Sequence, residues 1–403
     1  MTLLDPHTSA RSAKPAAGRA RHRLARWGLL TELNDPRQVV ANLTPNWFAS
    51  VMGTGIVATA AASLPEQFPG LRIAATVVWG AAAVLLIALT IGMARRWIGY
   101  RQTARRDAAD PVMAQFYGAV PMAILTVGDG TLLLGRDVIG LPAAVDIDWA
   151  MWLIGTPLGL ACGVAVPYLM FTKHDLRPDS AFGGWLMPIV PPMVSATAGA
   201  LLIPYAPAGP ARASLLLCCY GMFGMTLLAS LIVITLIWHR LTLYKIGPLR
   251  MVPTLWIVLG PLGQSITSAN LLGNAAQGTL PAPYGQALQA FGVVYGVPAL
   301  GFALLWATVA GLITVHAVRS RLPFSLTWWS FTFPVGTCVT GTSALALNTG
   351  LIMFRVAAAV IYAALVSAWL IVAIRTARDS IRGRLFQSAP AAQTPTAAVA
   401  AAA

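Results

Sequence analysis

Asn42-Leu-Thr-Pro-Asn-Trp-Phe-Ala-Ser-Val-Met-Gly-Thr-Gly-Ile-Val57 is the stretch on which the fold of this chain turns. Thr44-Pro45 reads as a helix start, with threonine as N-cap and proline at the first helical position. Trp47 and Phe48 follow, at the depth aromatic rings favour beside a membrane–water boundary. Met52-Gly53-Thr54-Gly55 then places two glycines inside an otherwise apolar helix, where glycine is destabilising and requires a reason. Two readings fit. The glycines let a neighbouring helix approach closely, or they loosen a helix lining a passage, with backbone groups and the Thr54 hydroxyl offered to a solute.

Composition places that helix in a membrane. Of 403 residues 57% are hydrophobic and 10% charged, with mean hydropathy +0.70. A soluble domain carries about a quarter charged residues. The formal net charge of +14 raises nucleic acid as a partner, but the distribution of charge argues for topology instead. Cys162, Cys218, Cys219 and Cys338 all fall in apolar runs, with neither disulfide nor metal spacing. The basic start lacks the short apolar core and small-residue cleavage site of a signal peptide.

Residues 1–40 read as a basic disordered arm, with a short interfacial helix around Leu24–Leu33 carrying Trp27. The transport domain is expected over 41–378, and a disordered Ala/Pro/Thr-rich tail over 379–403. Apolar spans are expected near 46–64, 72–94, 112–135, 149–172, 183–205, 213–238, 252–276, 286–315, 327–347 and 351–374. Basic residues fill alternate connections: Arg95 to Arg106, Lys173 and Arg177, Arg240 to Arg250, Arg319 and Arg321, Arg375 to Arg384. The opposite side holds only Arg72, Arg136, Arg212 and Arg355. The positive-inside rule then puts both termini in the cytoplasm of an inner, or plasma, membrane.

Odd and even spans differ. Pro45 starts the first; Pro121, Pro188 with Pro191, Pro261 and Pro334 bend the later odd ones. Small and hydroxylated residues accompany them, including Ser195, Ser265 and Thr337. The second, sixth and tenth spans lack internal proline, although the fourth and eighth contain it. A freed backbone carbonyl is tolerated only where protein or water satisfies it. The pattern predicts an all-α polytopic membrane protein, ten helices as five hairpins around a central pore lined by the odd ones.

Intramembrane ionisable residues, the usual mark of chemistry, are nearly missing. Glu32 and Glu66 lie outside the spans, and the five histidines lie in the arm or near span ends. Haem ligation, a zinc site and a Ser-His dyad therefore lack their residues, so neither an enzyme nor a cofactor or metal is expected. Asp129, between Gly128 and Gly130, is the exception. It relays a proton or repels anions, or else sits hydrated or hydrogen-bonded near an outer mouth already acidic with Asp137, Asp146 and Asp148. Phe331 and Phe333 put aromatic bulk beside a bend, as interhelical packing or as a hydrophobic constriction.

The 42–57 stretch resembles the first span of the tellurite-resistance/dicarboxylate transporter family, which includes fungal malate permeases, fungal sulfite pumps and plant slow anion channels. Phe116-Tyr-Gly-Ala-Val-Pro-Met122 and Trp328-Trp-Ser-Phe-Thr-Phe-Pro334 resemble its third- and ninth-span motifs. The resemblance implies a homotrimer and a gating phenylalanine, carried onto Phe333 with Phe331 as fallback. It implies transport of small anions, C4-dicarboxylates or sulfite-like oxyanions, or a tellurite-linked anion channel. A membrane-embedded enzyme or anchoring subunit is the alternative from another class. Beyond small anions and the lipid bilayer no partner is expected, and no nucleic acid.

Overall fold

The computed structural model describes residues 29–387; the arm before residue 29 and the tail from 388 lie outside the described residues. Two compact units are present, one of residues 44–375 and one of 29–43 with 376–387. Among the described residues the chain is helical and contains no strand. The principal helices are α1 Phe48–Ser63, α2 Leu71–Gly99, α3 Ala119–Gly130, α4 Leu141–Thr172 and α5 Pro191–Leu202. They continue as α6 Pro210–Tyr244, α7 Leu259–Gln277, α8 Tyr284–Arg319, α9 Phe333–Thr349 and α10 Ile352–Arg382.

Six stretches are long and apolar enough to cross a bilayer: α2, the composite Met113–Ile139 around α3, α4, α6, α8 and α10. The sequence reading expected ten. The helices α1, α5, α7 and α9 are only 16, 12, 19 and 17 residues long. Each odd helix follows a tighter 3₁₀ stretch: Pro45–Trp47, Met113–Gly118, Gly183–Leu186, Leu249–Val258 and Leu326–Phe331. Proline in or beside most of these stretches removes a backbone donor, so the regular α ladder does not run unbroken. Pro334 itself falls in the first turn of α9, where a missing N–H costs nothing. The irregular backbone is one residue earlier than the proline alone suggests, at Thr332 (φ −106°, ψ −77°).

Burial divides the helices into two sets. In Met113–Ile139 83% of the most apolar window is buried, against 17% in both α2 and α10. Large apolar side chains on the even helices, such as Ile73, Val164, Phe171, Leu228 and Leu312, are exposed, as a lipid-facing surface requires. The short helices are buried on nearly every side. They also pack in a closed cycle: α1 on α3, α3 on α5, α5 on α7, α7 on α9, and α9 on α1. Each of α2, α4, α6 and α8 lies against the odd helices before and after it.

Small residues set how closely the cycle closes. A Cβ placed on Gly263 of α7 would lie 2.4 Å from the backbone nitrogen of Cys338 on α9. One on Gly118, just before α3, would lie 2.0 Å from the Met187 carbonyl oxygen. Hydroxyls in these helices are largely satisfied by their own backbone. Thr126 donates to the Met122 carbonyl at 2.7 Å, Thr131 to Val127 at 2.8 Å and Thr267 to Gly263 at 3.1 Å. This lets threonine sit in a dry interior without an orphaned donor.

In the terminal unit, residues 29–34 form turns rather than helix, and 24–28 lie outside the described residues. The short helix is instead Gln38–Ala41. The Leu30 amide donates to the Ile381 carbonyl at 2.6 Å and that of Glu32 to Arg382 at 2.9 Å. The Arg384 guanidinium donates twice to the Glu32 carboxylate, at 3.0 and 3.2 Å. That hydrogen bonding holds the Glu32 carboxyl below its ordinary value of 4.5.

Gly263→Ala is expected to destabilise the protein by about 1–3 kcal/mol, since backbone cannot yield as a side chain can. Gly301, on α8 with open space around it, serves as the control and should accept alanine unchanged in thermal unfolding. The Glu32–Arg384 pair should hold at neutral pH, because a depressed carboxyl value favours the folded form above the unfolded one. Its contribution is lost as pH falls below 4.5 and through the depressed folded value. Amide exchange at Leu30 and Glu32, corrected for intrinsic rate, should accelerate over that range; Glu32→Gln should remove the transition.

Candidate functional site: two cavities along the inner helices

Two cavities lie among the odd helices. The first has a volume of about 20 Å³ and is bordered by Met52, Met122, Gly260, Trp329, Phe333 and Pro334, among others. It has room for about one water. The second is about 200 Å³, bordered by Thr59, Asp129, Thr197, Gln264, Thr267 and Thr340 among others. Residues near the start of each odd helix, or in its 3₁₀ lead-in, face the first cavity; residues further along face the second. The five odd helices therefore point the same way, which their charge-alternating connections require.

Among the described residues no lysine, arginine or histidine borders either cavity. The first is apolar apart from Ser330, and five odd-helix starts converge around it. Partial positive charge at helix starts is then its main electrostatic feature. The second cavity owes its polarity to a network between α5, α7 and α9. Gln264 Nε2 donates to Thr197 Oγ1 at 2.8 Å, and Thr197 shares a 2.5 Å hydrogen bond with Ser268. Thr267 and Thr340 hydroxyls meet at 2.8 Å across α7 and α9.

Of the residues singled out from the sequence, Phe333, Pro334 and Asp129 border these cavities. Phe333 is 3% exposed. Phe331 lies elsewhere, edge-on to Trp256 at 5.6 Å and Trp328 at 5.7 Å, in a separate groove with Thr314 and Ala368. Gly53 packs beneath Trp329 and Thr332, and Gly55 against Thr126. Thr54 turns toward α10, accepting a hydrogen bond from Trp369 Nε1 at 3.2 Å.

The remaining residues lie within or between helices. Ser265 donates to the Leu262 carbonyl and accepts from the Tyr295 hydroxyl, both at 2.7 Å. Thr337 donates to the Pro334 carbonyl at 2.7 Å, and Ser195 is fully buried, its hydroxyl without a hydrogen-bond partner. Pro121 and Pro191 pack toward Gly159 of α4, Pro188 against Gly118, and Pro261 is buried in α7.

Sequence reasoning passed over Thr59, Ser63, Gln264 and Thr340, all on the second cavity; Thr197 and Thr267, also on it, belong to the hydroxylated runs it placed in the odd spans. One signal was available: Gln264 and Asn274, with Asn270, are amide side chains in a span that carries no charge. Following one helix face at 3.6 spacing from Gln264 would have reached Thr267 and Leu271.

Comparison with known proteins follows this geometry. A fungal sulfite efflux pump from Arthroderma otae is 27% identical over 354 residues, covering 86% of this chain and 93% of the pump. An uncharacterized transporter of Methanocaldococcus jannaschii is 28% identical over 303 residues, covering 75% of this chain and 83% of its own length. The malic acid transport protein of Schizosaccharomyces pombe is 22% identical over 341 residues, covering 78% and 73%. The SLAC1 description, voltage-dependent anion channel, matches residues 42–377, from the opening Asn-Leu-Thr-Pro motif into the last helix. This chain belongs to the SLAC1 family of voltage-dependent anion channels.

Proposed function

We propose that this protein carries small anions across a membrane along the axis enclosed by α1, α3, α5, α7 and α9. The observation that carries the reading is the pair of cavities, bordered by the odd helices and the short stretches that lead into or continue them, with no basic side chain among the described residues that border them. A fixed cation would hold an anion tightly and slow its release, whereas helix starts, hydroxyls and an amide attract it moderately. Sulfite-like oxyanions are the leading substrates, because several relatives are named as sulfite efflux pumps. A C4-dicarboxylate is the second reading, favoured by the malic acid transport protein.

The fuller architecture belongs to the same proposal. The short odd helices with their 3₁₀ lead-ins act as spans, giving ten in five hairpins over 41–378. The basic connections place both termini in the cytoplasm of an inner or plasma membrane, and the family resemblance supports a homotrimer. Phe333 is the gate: its ring narrows the first cavity, where apolar bulk obstructs ions by excluding water.

Liposomes containing the purified protein test the transport reading directly, with sulfite, malate and chloride compared. Flux of none of them would overturn it. Phe333→Ala should raise anion current at least tenfold if the ring is the obstruction. A ring that merely packs would leave a cavity costing about 3–5 kcal/mol, seen as lower thermal stability with no added current. Gln264→Leu removes the amide from the second cavity and leaves the Thr197 hydroxyl without its donor. Current should fall about tenfold, equivalent to roughly 1.4 kcal/mol, with little change in unfolding temperature.

A further inference from the structure

Asp129 borders the second cavity and is 9% exposed, yet its Oδ1 has no hydrogen-bond partner. Asp148 of α4, 1% exposed, approaches the same turn of α3 from behind. A Cβ on Gly128 would lie 2.6 Å from Asp148 Oδ1, so glycine is what admits this carboxyl beside Asp129. Asp148 Oδ2 is likewise buried without a partner. The chain widens here into a π turn at Thr131–Gly135, a departure from regular helix often found at functional positions.

Among the described residues, side-chain donors on the surrounding turns are engaged elsewhere. Trp79 Nε1 donates to the Val127 carbonyl at 3.2 Å, as does the Thr131 hydroxyl at 2.8 Å. The Thr126 hydroxyl donates to Met122. Cations are no closer to hand. Arg72 of α2 donates to Asp137 at 2.5 Å and to the Leu133 carbonyl at 2.9 Å, and Arg136 faces Asp137 as well. Asp146, the other charged residue of α4, is exposed, and α1, α5, α7 and α9 carry no charged residue. An ionised carboxylate only accepts hydrogen bonds, and two of them side by side repel. A proton supplies both the missing donor and the charge compensation.

We propose that Asp129 and Asp148 form a proton-binding site in the wall of the second cavity, so that an anion crosses that cavity together with a proton. The proton adds to a carboxylate oxygen lone pair and leaves from it; no other bond changes. With the pair unprotonated, Asp129 repels an anion from the cavity it borders. With the proton bound, the wall is less negative and offers an O–H donor. The coupling rests on the transport reading, but the proton site itself does not.

Two measurements separate these. Infrared spectra of the purified protein at neutral pH should contain a protonated-carboxyl band that shifts or disappears in Asp129→Asn and in Asp148→Asn. Absence of that band, or its persistence unchanged in both variants, overturns the proton site whether or not the protein transports. In liposomes holding a pH-sensitive dye, an inward chloride gradient should acidify the lumen as chloride enters. Chloride is the probe because it carries no titratable proton. The ratio of protons to chloride moved should fall at least tenfold in Asp129→Asn, whatever the total flux. An unchanged ratio, or chloride entry without acidification in the parent protein, overturns the coupling. If the parent moves none of chloride, sulfite and malate, the transport reading fails, and the infrared band alone decides the proton site. Should Asp129→Asn not fold, Asp148→Asn takes its place in both measurements.

Discussion

Close approach of helix backbones is the constraint from which the rest of this molecule follows. Lipid tails are as apolar as leucine, so helices in a bilayer gain little from burying apolar surface against one another. They associate through tight packing and hydrogen bonds, and both need small residues at the contact. Gly263 meets the backbone of α9 at Thr337 and Cys338, and Gly118 meets the Met187 carbonyl. With such contacts repeated around the cycle, the odd helices close on one another with little room left along their axis. The cavity at their N-terminal ends is about 20 Å³ as a result.

Polar bookkeeping decides what that axis presents. Threonine and serine are plentiful in the odd helices, but most of their hydroxyls serve the backbone or a neighbouring helix. Thr337, Ser265 and Thr54 all turn away from the cavities. The polarity a solute meets is thus Ser330 in the first cavity and, in the second, the Gln264–Thr197 and Thr267–Thr340 contacts with Asp129, Thr59, Ser63 and Asn274. Without a fixed cation the lining attracts anions only moderately, which suits passage better than capture. The carboxyl pair is the ionisable feature of that wall, and at the proposed proton site its protonation sets that attraction.

Membrane class, helical content and the identity of the bent helices were legible in the chain itself. Runs of apolar residues with 10% charge admit no other solvent, and proline lies in or beside most of the 3₁₀ lead-ins. The number of helices that individually satisfy a span was not legible. The 3₁₀ stretches shorten the regular α portions of α1, α5 and α9 to 16, 12 and 17 residues, and polar side chains thin the apolar run of α7, so their burial depends on neighbours rather than on lipid.

Side-chain direction was decided only by the tertiary structure. A threonine beside two glycines looks equally suited to a passage or to a packing contact, because sequence gives spacing along a helix but not its rotation about its own axis. That rotation placed Thr54 against Trp369 and Gln264 on the cavity. Phe331 and Phe333 are two residues apart and bracket an irregular turn at Thr332, so their rings point into different spaces. Asp148 reads from sequence as one more acidic residue near an outer mouth. Only the packing of α4 on a glycine of α3 turns it inward beside Asp129, since the approach depends on an absent side chain in a helix distant along the chain.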